Sequence, residues 1–170
     1  MTGRAAGRGP KGVPMTQSPI EARLAALGLT LPPTGAPVAN YVPVVVHGGL
    51  AVVSGQLPCG DEGLVVGRVG EDLSLDDGRA AARLCALAIL AQLRAALGGS
   101  LEPVVRCVQL TGFVNAAPGF TDHPQVINGA SDLMVAVFAD AGRHARAAVG
   151  AASLPLGAAV EVAATFAVAS

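Results

Sequence analysis

One long helix of low polarity constrains this sequence more than any other feature. Between about Gly78 and Leu97 the chain is rich in alanine and leucine over a length that suits a helix. Its arginines fall on one narrow stripe of the helix surface, namely Arg79, Arg83 and Arg94. The rest of the surface is apolar, so this helix must be packed around most of its circumference. Asp76 and Asp77, just before it, favour the positive end of the helix dipole.

The segments on either side of this helix alternate between helical and strand patterns. We predict a short N-terminal helix that ends at Gly28, and a hairpin turn at Gly48 and Gly49. We predict a second long helix over 123–141 and strands over 42–47, 50–54, 64–69, 104–114, 146–152 and 158–168. The last two strands are predicted to pair with each other around a turn at 155–157. Because each long helix lies between strands, crossover connections are expected. The sequence therefore predicts an α+β fold in which a mixed β-sheet carries the two long helices on one face.

Composition bounds the number of domains and favours self-association. A chain of 170 residues, 52% of them hydrophobic, suits one domain. The apolar residues are mostly Ala, Val and Leu, and small side chains each bury little area, so burial against further copies would add stability. Residues 1–17 lack the apolar stretch of a signal peptide and are expected to be a disordered extension. A single domain is expected over 18–170, beginning with a helix and linker over 18–35.

Several classes of partner and cofactor are disfavoured by composition and motifs. The net charge is −1 without a basic run, so we expect no nucleic-acid partner. No apolar segment reaches the roughly 18 residues of a membrane span, so no membrane partner is expected. The scattered cysteines predict reduced thiols and a cytoplasmic location. The histidines lack metal-ligand spacing, and there is no phosphate-binding glycine motif, so we expect neither a metal nor a cofactor.

Two charged residues stand alone in apolar strands near the C-terminus. Arg146 lies in His-Ala-Arg-Ala-Ala-Val-Gly, and Glu161 lies in Ala-Ala-Val-Glu-Val-Ala-Ala. A charge in a half-buried strand needs a partner, so one interpretation is that the two residues pair with each other, and another is that Arg146 faces solvent. A functional arginine would instead offer two parallel N–H donors to a ligand carboxylate, which lysine does not match. The residues alone leave these alternatives open.

Two blocks of sequence resemble the RidA (YjgF-type) family. Asn40-Tyr41-Val42, followed by Val53-Ser54-Gly55-Gln56-Leu57-Pro58, is similar to the start of these proteins. Arg146 with Leu154-Pro155 and Val160-Glu161-Val162-Ala163 is similar to their C-terminal signature. The resemblance covers about Pro37 to Val168. The preceding helix and linker, together with Ala148 where the family often has cysteine, indicate a divergent subgroup.

The resemblance implies a fold, an assembly and an activity. It implies a homotrimer with a chorismate-mutase-like fold and pockets between subunits. It implies hydrolysis of reactive enamines and imines, such as 2-aminoacrylate and 2-iminopropanoate, to 2-keto acids and ammonia, with no cofactor or metal. Arg146 would hold the substrate carboxylate. The residues implied are Arg146 and Glu161 for catalysis, and Tyr41, Ser54, Gly55, Asn128 and Arg146 for substrate binding.

Two other functions remain as alternatives to imine hydrolysis. One is a non-catalytic regulatory trimer that binds a small carboxylate. The other is an endoribonuclease or translation inhibitor, against which the lack of a basic surface and of a histidine cluster counts. For Glu161 the resemblance leaves open whether it transfers a proton or only orients its neighbours.

Overall fold

The computed structural model describes residues 19–34 and 40–169. The predicted extension over 1–17, the start of the predicted N-terminal helix and the end of its linker lie outside the described residues. The helices are α1 (Pro19–Ala26), α2 (Leu75–Ala96) and α3 (His123–Phe138). The strands are β1 (Val44–His47), β2 (Leu50–Gln56), β3 (Cys59–Gly60), β4 (Gly63–Leu64), β5 (Val104–Asn115), β6 (Ala145–Ala151) and β7 (Val160–Val168), with 3₁₀ turns at Ala139–Gly142 and Pro155–Gly157.

Five of these strands form one mixed sheet in the order β1-β2-β7-β5-β6. The pair β5–β6 is parallel and is connected through α3, as expected for a crossover, whereas the other neighbours are antiparallel. The predicted pairing of the last two strands is wrong, because β7 lies between β2 and β5 while β6 occupies the edge beyond β5. β7 thereby gains hydrogen-bonded partners on both sides, which a hairpin with β6 alone would not supply.

The predicted strand over 64–69 is also wrong. Only its first residue belongs to a strand, β4, which pairs with β3 in a separate two-stranded ribbon. Val66 and Val69 make isolated bridges to other segments. Gly67 has a φ of +125° and Gly70 one of +88°, values that favour glycine and turn the chain away from an extended course.

Helix α2 begins three residues earlier than predicted, because Ser74 caps it. The Asp77 backbone N–H donates to Ser74 Oγ at 3.1 Å, and the Ser74 backbone N–H donates to Asp77 Oδ2 at 2.9 Å, which completes a capping box. Hydrogen bonds from the Ser74 side chain and backbone lower the pKa of Asp77. The cap satisfies backbone donors that the first turn of a helix otherwise leaves free.

The two long helices cover the same face of the sheet, as predicted. α2 packs on β2 and β7, whereas α3 packs on β5 and β6. The helices approach closely where Gly129 of α3 lies against the Arg79 carbonyl, so that any side chain there would collide with the α2 backbone. The fully buried side chains between the layers include Ile89, Leu90, Leu93, Leu110, Ile127, Leu133 and Phe166.

The other face of the sheet keeps large apolar side chains exposed in a single chain. Val45 pairs with Val52, and Leu50 pairs with Ala167, on the face opposite the buried Ala51. Val45 is 51% exposed, Val52 48% and Leu50 42%. A contiguous apolar surface of this kind is typical of a face that is covered by another molecule.

Candidate functional site

Arg146 is held by α3 through a single guanidinium nitrogen. It lies on β6 beside the buried Leu110 of β5, on the helix-covered side of the sheet. Its Nη1 donates to Asn128 Oδ1 at 2.8 Å and to Ser131 Oγ at 3.0 Å. Because Nη1 has only two hydrogens, both of its donors are used.

The opposite edge of the same guanidinium binds no group of the part of the chain that the structure describes. Within the described residues, Nε and Nη2 of Arg146 donate to no protein acceptor, and no carboxylate lies within ion-pair distance. The residue is exposed. Since Nε–H and the adjacent Nη2–H are parallel donors, this edge matches the two oxygens of a carboxylate.

Sequence reasoning missed two residues that extend this group. Ser131 Oγ lies 3.0 Å from His144 Nε2, and His144 Nδ1 lies 2.6 Å from the Gly142 carbonyl oxygen. Helical spacing could have identified Ser131, because it follows Asn128 by three residues and shares its side of α3. Strand alternation could have identified His144, which precedes Arg146 by two residues.

A second group of predicted residues gathers around the end of β2. Ser54 Oγ donates to the Val42 carbonyl at 3.0 Å and so ties β2 to the segment that follows Tyr41. The Tyr41 side chain is 56% exposed. Gln56 Nε2 donates to the carbonyls of Ser54 at 3.0 Å and Gly55 at 3.3 Å. These bonds fix the irregular backbone where the register between β2 and β7 shifts.

Glu161 of β7 lies directly over Gly55. A Cβ atom at Gly55 would collide with the Glu161 carboxylate, with Cδ at 2.8 Å and Cγ at 3.1 Å. The absence of a side chain at position 55 therefore makes room for this acid. Burial raises the pKa of Glu161 above its ordinary value, since a desolvated carboxylate is less stable than its neutral form.

The sheet separates the two groups within one chain. Glu161 alternates with the fully buried Val160 and Val162, so it faces away from the helices, while Arg146 faces α3. Arg146 and Glu161 therefore do not pair with each other. The structure brings Asn128 to Arg146 and brings Gly55 to Glu161, but it places these pairs on opposite faces.

Other features of the described residues stand apart from these groups. A cavity of about 510 Å³ lies between the segment after α1, the β3–β4 ribbon and α2, and no predicted site residue lines it. No group of three or more His, Cys, Asp or Glu side chains in the described residues is placed to hold a metal ion. Among the described helices, none is both long and apolar enough to cross a membrane.

Comparison with known proteins places the chain in a family. A family model described as "YjgF/chorismate_mutase-like, putative endoribonuclease" matches residues 21–167. Protein TCP17 of Trypanosoma cruzi is 51% identical over 145 residues, which cover 84% of this chain and 90% of that protein.

Solved structures show the same relationship. The crystal structure of protein Atu1372 from Agrobacterium tumefaciens, whose function is unknown, has 48% identity and a TM-score of 0.82, covering 88% of this chain and 92% of that one. RidA from an Antarctic Psychrobacter has 28% identity and a TM-score of 0.53, covering 78% and 92%. The resemblance predicted from the sequence blocks is thus confirmed, and the chain belongs to the YjgF/RidA family.

Proposed function

We propose that this protein hydrolyses small enamine and imine intermediates of the 2-aminoacrylate and 2-iminopropanoate type to 2-keto acids and ammonia. The observation that carries the proposal is the free edge of the Arg146 guanidinium. Two bonds from Nη1 hold this cation in place, and no protein carboxylate neutralises it among the described residues. An oriented, unpaired guanidinium at a sheet edge suits the carboxylate that these intermediates carry beside the reactive C=N bond.

The reaction requires little of the protein beyond orientation of the substrate relative to a water. An enamine first becomes the imine by moving a proton from its nitrogen to its terminal carbon. Water then adds to the carbon of the C=N bond, and the resulting amino alcohol expels ammonia as its hydroxyl becomes the keto oxygen. One water is consumed and one ammonia is released, so the balance requires no oxidant or cofactor. Holding the carboxylate on Arg146 fixes the C=N carbon relative to a water, which is the main entropic requirement of the addition.

Glu161 is the proposed proton-transfer group. Its raised pKa keeps a larger fraction of the carboxyl protonated near neutrality than an exposed glutamate would have. A protonated carboxyl can give its proton to the imine nitrogen as water adds and take one back from that water. A second transfer, from the hydroxyl of the amino alcohol to its amine, then releases ammonia. Gly55 leaves the space in which this group sits, and Ser54 and Tyr41 are the proposed substrate-contacting residues beside it.

A site that uses both groups has to be completed by a second copy of the chain. Arg146 lies on the edge strand β6, so its free donors are accessible from beyond the sheet. Glu161 faces the same side as the exposed apolar residues Val45 and Val52. In the proposed homotrimer, each outer face is covered by a neighbour whose sheet edge brings Arg146 to Glu161 of the first copy.

The first test measures loss of 2-iminopropanoate that an amino-acid oxidase generates in situ, with and without the protein. Acceleration is expected for the wild type and a decrease of about 10²-fold in kcat/KM for Arg146→Ala, since a bidentate charged contact is lost. Arg146→Lys should fall between them. Arg83→Ala, which removes an exposed arginine of α2, is the matched control and should retain the wild-type rate. No acceleration by the wild type, or equal acceleration by Arg146→Ala, refutes the proposal.

The second test asks whether two copies share the site. Arg146→Ala and Glu161→Gln chains are co-expressed, and the assembly is expected to have three times the 16.8 kDa chain mass. At random mixing, about one quarter of the sites combine an intact Arg146 with an intact Glu161 from different copies, so about that fraction of activity should return. A site within one chain would recover nothing, and a stable monomer would contradict the assembly.

Two further measurements, of 2-keto acid binding and of RNA cleavage, distinguish the alternative functions. Saturable binding of a 2-keto acid without turnover would favour a regulatory trimer that binds a small carboxylate. RNA cleavage that persists through purification and disappears in Arg146→Ala would favour the endoribonuclease named in the family description.

A further inference from the structure

We infer that Ser131 and His144 are positioning residues that orient the Arg146 guanidinium so that its Nε–Nη2 edge, and no other, receives the ligand carboxylate. This inference rests on the proposed function for the identity of the ligand. The contacts that carry it form one continuous chain from Arg146 through Ser131 and His144 to Gly142.

The direction of each hydrogen bond follows from the last acceptor in that chain. The Gly142 carbonyl can only accept, so His144 Nδ1, at 2.6 Å, must carry a hydrogen. In a neutral imidazole, Nε2 is then the bare nitrogen and accepts. The Ser131 hydroxyl, 3.0 Å away, therefore donates its hydrogen to His144 Nε2.

This arrangement leaves the lone pairs of Ser131 Oγ for Arg146. A hydroxyl that donates to a good acceptor becomes a better acceptor itself, which strengthens its bond from Nη1. Asn128 Oδ1 takes the other Nη1 hydrogen, so the guanidinium is held against rotation by two bonds on one nitrogen. The end-on approach of a carboxylate between Nη1 and Nη2 is thereby blocked, and the side-on approach is left.

The local fold explains why the chain of bonds ends at Gly142. A Cβ atom at this position would collide with the Met134 carbonyl and lie 2.8 Å from Val135 Cα. Glycine therefore lets the 3₁₀ turn pack directly on the end of α3. That packing sets the Gly142 carbonyl within reach of His144, the residue just before β6.

Single substitutions test these hydrogen bonds one at a time. Ser131→Ala removes the acceptor for Nη1, whereas Ser131→Thr keeps a hydroxyl. His144→Asn keeps an N–H for Gly142 but removes the Nε2 acceptor. Asp132→Asn is the control. Asp132 follows Ser131 on α3 and forms an exposed 2.6 Å ion pair with Arg79 of α2. The substitution removes this ion pair but leaves the hydrogen bonds among Arg146, Ser131 and His144 in place.

The first experiment needs no ligand. In ¹⁵N-labelled full-length protein at mildly alkaline pH, the ring correlations of His144 should show the Nδ1–H tautomer. Rotation of the Arg146 Nη groups, assigned with Arg146→Lys, should be about ten-fold faster in Ser131→Ala and unchanged in Ser131→Thr and Asp132→Asn. An Nε2–H tautomer, or unchanged Nη rotation in Ser131→Ala, overturns the inference whether or not the protein is a deaminase.

The second experiment tests the consequence for binding. Titration with pyruvate should give a Kd about ten-fold higher for Ser131→Ala and a smaller increase for His144→Asn. In the double variant, His144→Asn should add nothing to Ser131→Ala, because His144 acts only through Ser131. Turnover should show a raised KM with little change in kcat. Additive effects overturn the inference, whereas absence of pyruvate binding by the wild type refutes the proposed function alone.

Discussion

Alanine at Gly55 and at Gly112 introduces the same methyl group into two different kinds of close contact. Both glycines lie in strands of the main sheet, and neither has the positive φ that would strain alanine. At Gly112 the new Cβ would collide with the Ile127 side chain, with Cγ2 at 2.9 Å. At Gly55 it would collide with the Glu161 carboxylate. The pair therefore compares a rigid neighbour with a movable one.

The expected loss in the free energy of unfolding differs between the two variants, because Ile127 is rigid and Glu161 can move. Ile127 is fully buried and β-branched, so Gly112→Ala should lower the free energy of unfolding by about 1–3 kcal/mol through overpacking. Glu161 can rotate its flexible end away from position 55, at a cost of about 0.5–1.5 kcal/mol. Alanine also restricts the unfolded chain at both positions, which offsets about 0.4–1 kcal/mol in each variant and leaves a net loss for Gly112→Ala. Gly55→Ala should therefore be nearly neutral for stability.

The expected effect on activity is the reverse for the two positions. Rotating Glu161 away from Gly55 removes it from the proposed proton-transfer position, so Gly55→Ala should lose activity as Glu161→Gln does, by about 10²-fold or more. Gly112→Ala leaves Glu161 in place. Below its unfolding transition it should retain most of the wild-type rate.

Two measurements on the same preparations decide the matter. Denaturant unfolding gives the free energies, with unchanged slopes showing that the transitions are comparable, and the imine-loss assay gives the rates. A Gly55→Ala variant that is as destabilised as Gly112→Ala, or that hydrolyses imine at the wild-type rate, would contradict this prediction.

Three further predictions concern other parts of the chain. Ser74→Ala removes the α2 cap and should lower the free energy of unfolding by about 1 kcal/mol in denaturant titrations, with Ser74→Asp restoring most of it. Because the pKa of Glu161 is raised in the folded protein, the folded protein binds more protons there than the unfolded chain does. The free energy of unfolding of the wild type should therefore fall, relative to Glu161→Gln, as the pH rises from the ordinary carboxyl range through the raised pKa. An opposite or absent slope in unfolding titrations would contradict this. Exposed Cys59 should be alkylated in the native state. Burial raises the pKa of Cys107 to about 12, so Cys107 should react only after unfolding, and mass spectrometry of the alkylated protein checks both sites.

Local patterns in the sequence determined the fold class and most of the element types. The apolar surface of α2 and the glycine pair between β1 and β2 are readable because helix periodicity and turn conformation depend on nearby residues. The alternation of helices and strands likewise predicted a mixed sheet with both long helices on one face. Isolated charges in apolar strands singled out Arg146 and Glu161, and the family blocks indicated the family that the comparisons confirm.

The tertiary structure alone decided how these residues are arranged. The position of β7 between β2 and β5 depends on hydrogen bonds between segments distant in sequence, and no local signal specifies that choice. Strand order and alternation then set Arg146 and Glu161 on opposite faces of the sheet. The Ser131–His144 contact arises only when α3 is packed beside β6. Side-chain chemistry is thus visible in the sequence, whereas the neighbours that give it a role are set by non-local packing.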